Sequence, residues 1–315
     1  MPRRDPTTLS VATPAKEAAA FLPDCIASVR DGAEHWVVDA ASTDGTLDIL
    51  RAARGVRWVS EPDRGQADGV NKGWRLSSGD ILGWVNADDA LEDGAVPAVR
   101  SFFAEHPEAD AVYGDAVFVD ESNRTVAPYP AEKWRPSRLR RICFIPQPAM
   151  FLRRRVPERF GFLDEGLHHA MDYDYWLRLA GHADVRYLPQ VLARFRLHPG
   201  MKTIARRREA HEEIVNVLET RTGRVDAGWI LGLASARADE EVERGALEGT
   251  PCPYLERVLS EVRRESMRRS VRRRWWLRAG TLIWRRRARR GEWPFRPRFP
   301  YPAALAGRVF WGRRM

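Results

Sequence analysis

The chain has 315 residues, 30% of them charged and 44% hydrophobic, with a formal net charge of +9. That length holds one large α/β domain with an appendage, or two modest domains, and the composition is that of a globular, soluble protein. Three widely spaced cysteines, Cys25, Cys143 and Cys252, exclude a disulfide framework and a clustered zinc site, and no apolar run has the length of a signal peptide or the roughly 18 residues of a membrane span, so a reducing cytosol is the expected setting.

In chain order, short apolar runs alternate with helix-like segments, the pattern of a parallel sheet with crossover helices. Strands are expected at Leu9–Ala12, Trp36–Asp39, Val56–Ser60, Ile81–Asn86 and Ala111–Tyr113. Helices are expected around Phe21–Arg30, Thr46–Ala53, Ala67–Leu76 and Ala95–His106. The second helix follows Ser42-Thr43-Asp44-Gly45, where a small polar residue can cap free backbone N–H groups. In open parallel sheets a ligand binds beyond the carboxyl ends of the strands. Those ends carry Thr13, Asp39 and Asn86-Ala87-Asp88-Asp89.

Three segments of this half could carry chemistry. VVDAASTDGT ends a strand in Asp39, which can accept a hydrogen bond from a nucleobase N–H or simply cap a turn. SEPDRGQADGVNKG, from Ser60 to Gly73, forms a polar turn at Asp63-Arg64-Gly65-Gln66, where Arg64 either meets a phosphate or is a surface arginine. GDILGWVNADD runs from an apolar strand into Asn86, Asp88 and Asp89. Carboxylates so placed can face one hard cation that bridges diphosphate oxygens. The same residues also serve as turn formers and helix caps. Neither a Gly-x-Gly-x-x-Gly turn nor a Gly-Lys-Ser/Thr phosphate loop is present, so the usual dinucleotide and triphosphate fingerprints are missing.

From Asp115 to Pro148 the pattern turns irregular and rich in Pro and Arg. Met171–Ala180 then reads as a helix with Asp172 and Trp176 on one face, followed by strands at Val185–Leu188 and Val191–Arg196. Asp172, at the helix start, is placed either as a general base or as a cap. His168 and His169 are as readily packed or solvated as functional, and a lone His198 in a loop is more often structural than a ligand.

After Lys202 the pattern is helical, at Ala205–Thr220, Trp229–Val242 and a long Arg-rich stretch from Tyr254 to about Arg290, which sets the expected domains at 1–204 and 205–315. From Glu256 to Met315 there are 19 Arg and 4 Glu, leaving 33 basic and 39 acidic residues before it. A mildly acidic domain thus carries a basic extension with Arg272-Arg273-Arg274 and Arg285-Arg286-Arg287 among Trp275, Trp276, Leu282, Ile283 and Trp284. Such a segment suits an anionic membrane surface. Alternatively Leu255, Val258, Leu259 and Val262 pack a terminal helix and the arginines are solvated.

Taken together and in order, VVDAASTDGT, SEPDRGQADGVNKG, WVNADD, FIPQPAMF, MDYDYWLRLA and FRLHPG resemble the family 2 glycosyltransferases, inverting enzymes of the GT-A fold, from about Leu9 to Thr203. The resemblance implies an α/β fold with a mostly parallel nucleotide-binding sheet flanked by helices, the basic helical extension lying outside it. It implies donor contacts from Thr13, Glu17, Asp39, Asp44, Arg64, Asn71, Asn86 and Asp88. It further implies a divalent cation, Mn²⁺ or Mg²⁺, held by Asp88 with Asp89 and His198, Asp172 as base, and Gln147 and Trp176 on the acceptor side. Two departures stand out: Asn86 occupies the first position of the family's Asp-x-Asp motif, and Met171 rather than Glu precedes the base. The Gln/Arg-x-x-Arg-Trp signature of processive synthases is absent, which implies single additions.

The expected activity is therefore transfer of a sugar, UDP-linked, from a nucleotide sugar to a saccharide or lipid-linked acceptor by metal-assisted inversion, in cell-surface polysaccharide or glycolipid synthesis. The setting is cytoplasmic, with peripheral attachment to the inner face of the membrane. A nucleotidyltransferase would instead release pyrophosphate from a triphosphate, and a silent nucleotide-sugar-binding protein would turn nothing over. A nucleic-acid-binding role fits the arginines but not the acidic domain.

Overall fold

The computed structural model describes residues 8–248, 250–272, 281 and 284–290. The chain forms two compact units, one taking it up to Arg135 and again over Phe144–His198, the other taking Pro136–Cys143 and everything from Pro199 on.

The first unit is a nine-stranded sheet with helices against it. Its strands are β1 (Leu9–Ala15), β2 (Glu34–Asp39), β3 (Val56–Ser60), β4 (Ile81–Trp84), β5 (Ala90–Leu91), β6 (Ala111–Val119), β7 (Thr125–Pro128), β8 (Met150–Arg153) and β9 (Val185–Arg196). Its helices are α1 (Leu22–Ser28), α2 (Thr46–Ala52), α3 (Gln66–Leu76), α4 (Ala95–Glu105), α6 (Arg155–Phe160) and α7 (Met171–Leu179), with α5 (Pro136–Leu139) assigned to the second unit. The strand order is β3-β2-β1-β4-β8-β6-β9-β5, with β7 paired to β6. The four leading strands are parallel, β8 runs antiparallel between β4 and β6, and β9 is parallel to β6.

Burial explains the central strands. β1 and β4 are buried on both faces, as strands covered on two sides are. One cluster joins Val11, Ile81, Val99, Phe103, Val112 and Phe151, and a second joins Leu22, Val37 and Leu50. α3 lies close on β1 because Gly73 has no side chain there: a Cβ would stand 2.6 Å from that of Ala12.

The structure departs from the sequence expectations at several points. The strand from Ile81 stops at Trp84, and Asn86–Asp89 is a turn closed by the Asp89 N–H on the Asn86 carbonyl at 3.0 Å. β6 continues to Val119 through a segment expected to be irregular, and β9 is a single strand across Pro189. Gly114 lies where β9 passes close against β6, since a Cβ there would meet the Gln190 carbonyl at 2.5 Å. The paired register shifts at this point. The short β5, β7 and β8 carry too few residues to show a period.

The second unit holds α5, α8 (Lys202–Ala205), α9 (Arg207–Thr222), α10 (Ala227–Glu243) and α11 (Pro251–Arg268), with a two-strand ladder of β10 (Val225–Asp226) and β11 (Val271–Arg272). The expected helix to Arg290 is broken after Arg268, where Arg269 turns extended (φ −126°) and leads into β11, and residues 284–289 are helical again. Asp226 caps α10 by accepting the Gly228 N–H. Arg237 binds Glu212, Glu261 and Glu265 at 2.8–2.9 Å, and Arg257 binds Glu241 and Glu261. Glu261 and Glu265 are buried, so each needs these partners to remain charged. Of the Arg/Trp runs named above, Arg273, Arg274, Trp275, Trp276, Leu282 and Ile283 lie outside the described residues.

Candidate active site

The site is built around the turn that follows β4. Asn86 is its hub. Its Oδ1 accepts from Trp84 Nε1 at 2.8 Å and Gln66 Nε2 at 2.6 Å, and its Nδ2 donates to Gln147 Oε1 at 3.0 Å and Asp89 Oδ2 at 3.3 Å. The orientation is forced, because an indole N–H only donates. Gln147 is oriented in the same way, by donating its Nε2 to the Trp84 carbonyl at 2.6 Å. The Asn86 amide is therefore saturated within the fold, and the Gln147 amide is engaged on both its oxygen and its nitrogen. Asn86 offers no spare lone pair to a cation, and Gln147, expected on the acceptor side, is a buried brace.

This explains the amide at the first motif position. A carboxylate at 86 would set oxygens against the Asp89 carboxylate and the Gln147 carbonyl where Nδ2 now donates. Asn86→Asp is expected to destabilise the domain by about 1–3 kcal/mol through those unmatched acceptors. Urea unfolding at neutral pH checks this, and an unchanged midpoint would show that the turn does not depend on the donor.

Asp88 and Asp89 face different ways. Asp88 is one-third exposed, and its Oδ2 accepts from His198 Nε2 at 3.0 Å. Asp89 is buried; its Oδ1 accepts the Arg196 N–H at 3.0 Å, and burial, then the neighbouring Asp88 charge, push its carboxyl well above the usual range. Asp89 thus does not share a ligand position with Asp88 and His198, and among the described residues no group of three His, Cys, Asp or Glu converges to hold a metal ion. Two ligating side chains meet here instead of three.

Arg196, which sequence reasoning passed over, ties the turn together. It is 1% exposed, its Nε donates to the Asp88 carbonyl at 2.9 Å, and its guanidinium reaches the Glu121 carbonyl at 3.2 Å and Asp24 Oδ2 at 3.1 Å. The same guanidinium lies 4.8 Å from the Phe21 ring centroid, and Phe21 packs on His198 at 4.9 Å. A signal was available: two residues apart at a strand end, Arg196 and His198 fall on one side.

The donor-side residues divide into an internal and an exposed set. Thr13 is buried, with its hydroxyl 2.9 Å from His35 Nε2 and 3.6 Å from Cys25 Sγ. Burial holds His35 down to about 4 and pushes the Cys25 thiol up to about 12, so both stay neutral. Asp39 is fully buried, and its carboxylate accepts from the Ser42 hydroxyl and N–H and from the Ser60 hydroxyl at 2.5–3.1 Å. Asn71 is buried and clamps the Leu163 backbone on both sides at 3.0 Å. These three hold loops together. Glu17, in contrast, is exposed in a left-handed conformation (φ 48°), accepting from the Thr43 N–H at 3.1 Å. Asp44 accepts from the Ala19 N–H at 2.9 Å and the Thr46 N–H at 3.1 Å, so it closes the start of α2 as the polar residue expected there. Arg64 is 72% exposed and pairs with Glu165 and Asp68.

The third part is the start of α7. Asp172 is half-buried in its first turn and accepts the Tyr173 N–H at 2.7 Å. Trp176, expected at the acceptor, is 2% exposed with no partner for its Nε1, so it anchors α7 in the core. Asn71 pins the loop ahead of α7, and a Cβ on Gly65 would stand 3.3 Å from His168. The Arg64–Gln66 turn therefore touches both Asn86 and the approach to Asp172.

Solved structures share this architecture. TarS of S. aureus in complex with UDP-GlcNAc superposes with a TM-score of 0.57 over 75% of this chain and 73% of that one, at 17% identity. A mannosyltransferase of Pyrobaculum calidifontis in complex with GDP-Man and Mn²⁺ gives 0.50 over 67% and 63%, at 20% identity. The fold so defined is the GT-A fold. Residues 10–158 match the glycosyl transferase family 2 model. Among curated proteins it is 32% identical over 185 residues to the O-antigen biosynthesis protein RfbC of Myxococcus xanthus, covering 55% of this chain and only 14% of that protein. It is 29% identical over 204 residues to a PGL/p-HBAD biosynthesis glycosyltransferase of Mycobacterium tuberculosis, covering 61% of this chain and 78% of the relative.

Proposed function

We propose that the chain moves a single sugar from a nucleotide-sugar donor, UDP-linked, to an acceptor hydroxyl with inversion at the anomeric carbon, in the synthesis of a cell-surface polysaccharide or glycolipid. The observation that carries this reading is the Asp88–His198 pair, 3.0 Å apart at the mouth of β4 on a turn braced by Asn86 and Arg196. The names of the two curated relatives and the donors bound in the two structural neighbours support the substrate class.

One carboxylate oxygen and one imidazole suit a divalent cation that takes its remaining ligands from diphosphate and water, and such an ion would stabilise charge on the departing diphosphate. The other roles belong to the chain itself. Asp172 accepts the proton of the acceptor hydroxyl as that oxygen bonds to the anomeric carbon and the bond to the diphosphate oxygen breaks. Arg64, Glu17 and Asp44 supply the accessible polar rim for the donor, while Thr13, Asp39 and Asn71 set its shape from behind. The acceptor is a saccharide or a lipid-linked saccharide, and the basic extension holds the enzyme at the inner membrane face.

The test is release of nucleoside diphosphate from a panel of UDP- and GDP-sugars with Mn²⁺ or Mg²⁺ and mixed acceptors. Turnover is expected with one donor and to disappear in excess EDTA. Undiminished transfer in EDTA would remove the cation from the reading, and pyrophosphate release from a triphosphate would replace it with nucleotidyl transfer.

A further inference from the structure

The second unit distributes its charges unevenly. Several of its arginines are held by carboxylates within the unit: Glu212, Glu261 and Glu265 surround Arg237, Glu241 and Glu261 hold Arg257, and Glu219 and Glu265 hold Arg269. On α11 the apolar residues Tyr254, Leu255, Val258, Leu259 and Val262 are buried, with the Tyr254 hydroxyl donating to Asp239 of α10 at 2.7 Å. The opposite stripe, at helical spacing, is Ser260, Arg263, Arg264, Met267 and Arg268, all exposed. Met267 is 81% exposed, and Arg263 and Arg268 have no carboxylate partner among the described residues. Arg264 keeps only the outer edge of Glu261, at 2.7 Å. The unit also includes the separate segment Pro136–Cys143, which brings the exposed Arg140 and Arg141.

We infer that the outward stripe of α11 is the surface by which this protein seats on an anionic lipid bilayer. The inference rests on the peripheral location proposed above and assigns it to a defined helix face, separate from the Trp-bearing runs after Arg272. Charge complementarity selects the partner's sign, because the stripe itself presents Arg263, Arg264 and Arg268 and no carboxylate, while Glu261 and Glu265 of the same helix are buried in pairs with Arg237. Met267 selects the kind of partner. A long apolar side chain ringed by arginines can enter the headgroup boundary while the arginines stay at phosphate level, an arrangement of no use to a hydrated polyanion.

The experiment is co-sedimentation of the full chain with vesicles of phosphatidylcholine alone and with added phosphatidylglycerol, using the wild type, a triple variant R263Q/R264Q/R268Q and Met267→Asp. Wild type is expected on anionic vesicles only. The triple variant should bind about 100-fold more weakly, from three arginines at the per-residue value for such surfaces, and M267D should weaken binding without changing net charge by more than one. Thermal melting verifies that both variants fold, and nucleoside diphosphate release with a soluble acceptor should match the wild type. A triple variant that binds like wild type would overturn the assignment of this face. No binding by the wild type would overturn the membrane location itself while leaving glycosyl transfer standing. Equal capture by heparin, with M267D indistinguishable from wild type, would overturn lipid in favour of a soluble polyanion.

Discussion

Asp172→Asn is expected to lower turnover by about 10²- to 10⁴-fold while donor affinity stays close to that of the wild type. The substitution keeps the size of the side chain and its ability to accept the Tyr173 N–H, made at 2.7 Å by Oδ1. It removes only the basicity needed to take the hydroxyl proton. The core around α7 should not notice, because Trp176, Tyr173 and Tyr175, all buried, anchor the helix independently of Asp172. Steady-state rates and donor titration by calorimetry separate the possibilities. A normal rate at saturation with collapsed donor affinity would move Asp172 from base to donor contact.

The second large effect is expected at Asp88. Asp88→Ala should lose about 10³-fold or more in turnover and most of the Mn²⁺ affinity, since charge stabilisation on a leaving diphosphate supplies several kcal/mol. No neighbour can take over. Asp89 is buried and engaged with the Arg196 N–H, and Asn86 has all its hydrogen-bonding capacity in use. The fold should survive, because the backbone of residue 88, not its side chain, receives Arg196 Nε. Mn²⁺ titration followed by electron paramagnetic resonance, alongside a thermal melt, reads both quantities. Full Mn²⁺ binding by the folded variant would place the cation elsewhere.

The two substitutions also bear on what a motif match means. Asn86 occupies a position that suggests a weakened cation ligand, yet in the structure it is a four-bond hub between Gln66, Trp84, Asp89 and Gln147. The two side chains that meet at this turn are instead Asp88 and a histidine 110 residues later in the chain. Gln147 and Trp176 differ from expectation for the same reason: a polar or aromatic residue beside a site can face the site or brace it, and residue type does not distinguish these.

By itself the sequence determined the alternation of strand and helix through the first hundred residues, the polar ends of the strands where the site lies, the place of α7 and the family of the domain. Local physics suffices there: runs such as Val37-Val38 and Ile81-Leu82 are apolar over lengths only a buried strand needs, and each is followed by a polar turn. Only the tertiary structure decided which polar residues are spent inside and which remain free. The Arg196 guanidinium, the Asp39 carboxylate and the Asn71 amide are engaged by partners distant in sequence, at Asp24, Ser60 and Leu163. It also decided that the β6–β9 register shifts beside Gly114 and that Arg263, Arg264 and Arg268 of α11 are exposed while Glu261 and Glu265 lie on the buried side. Such outcomes depend on which side chains desolvate together, and a buried polar group settles on whichever partner the packing brings within reach.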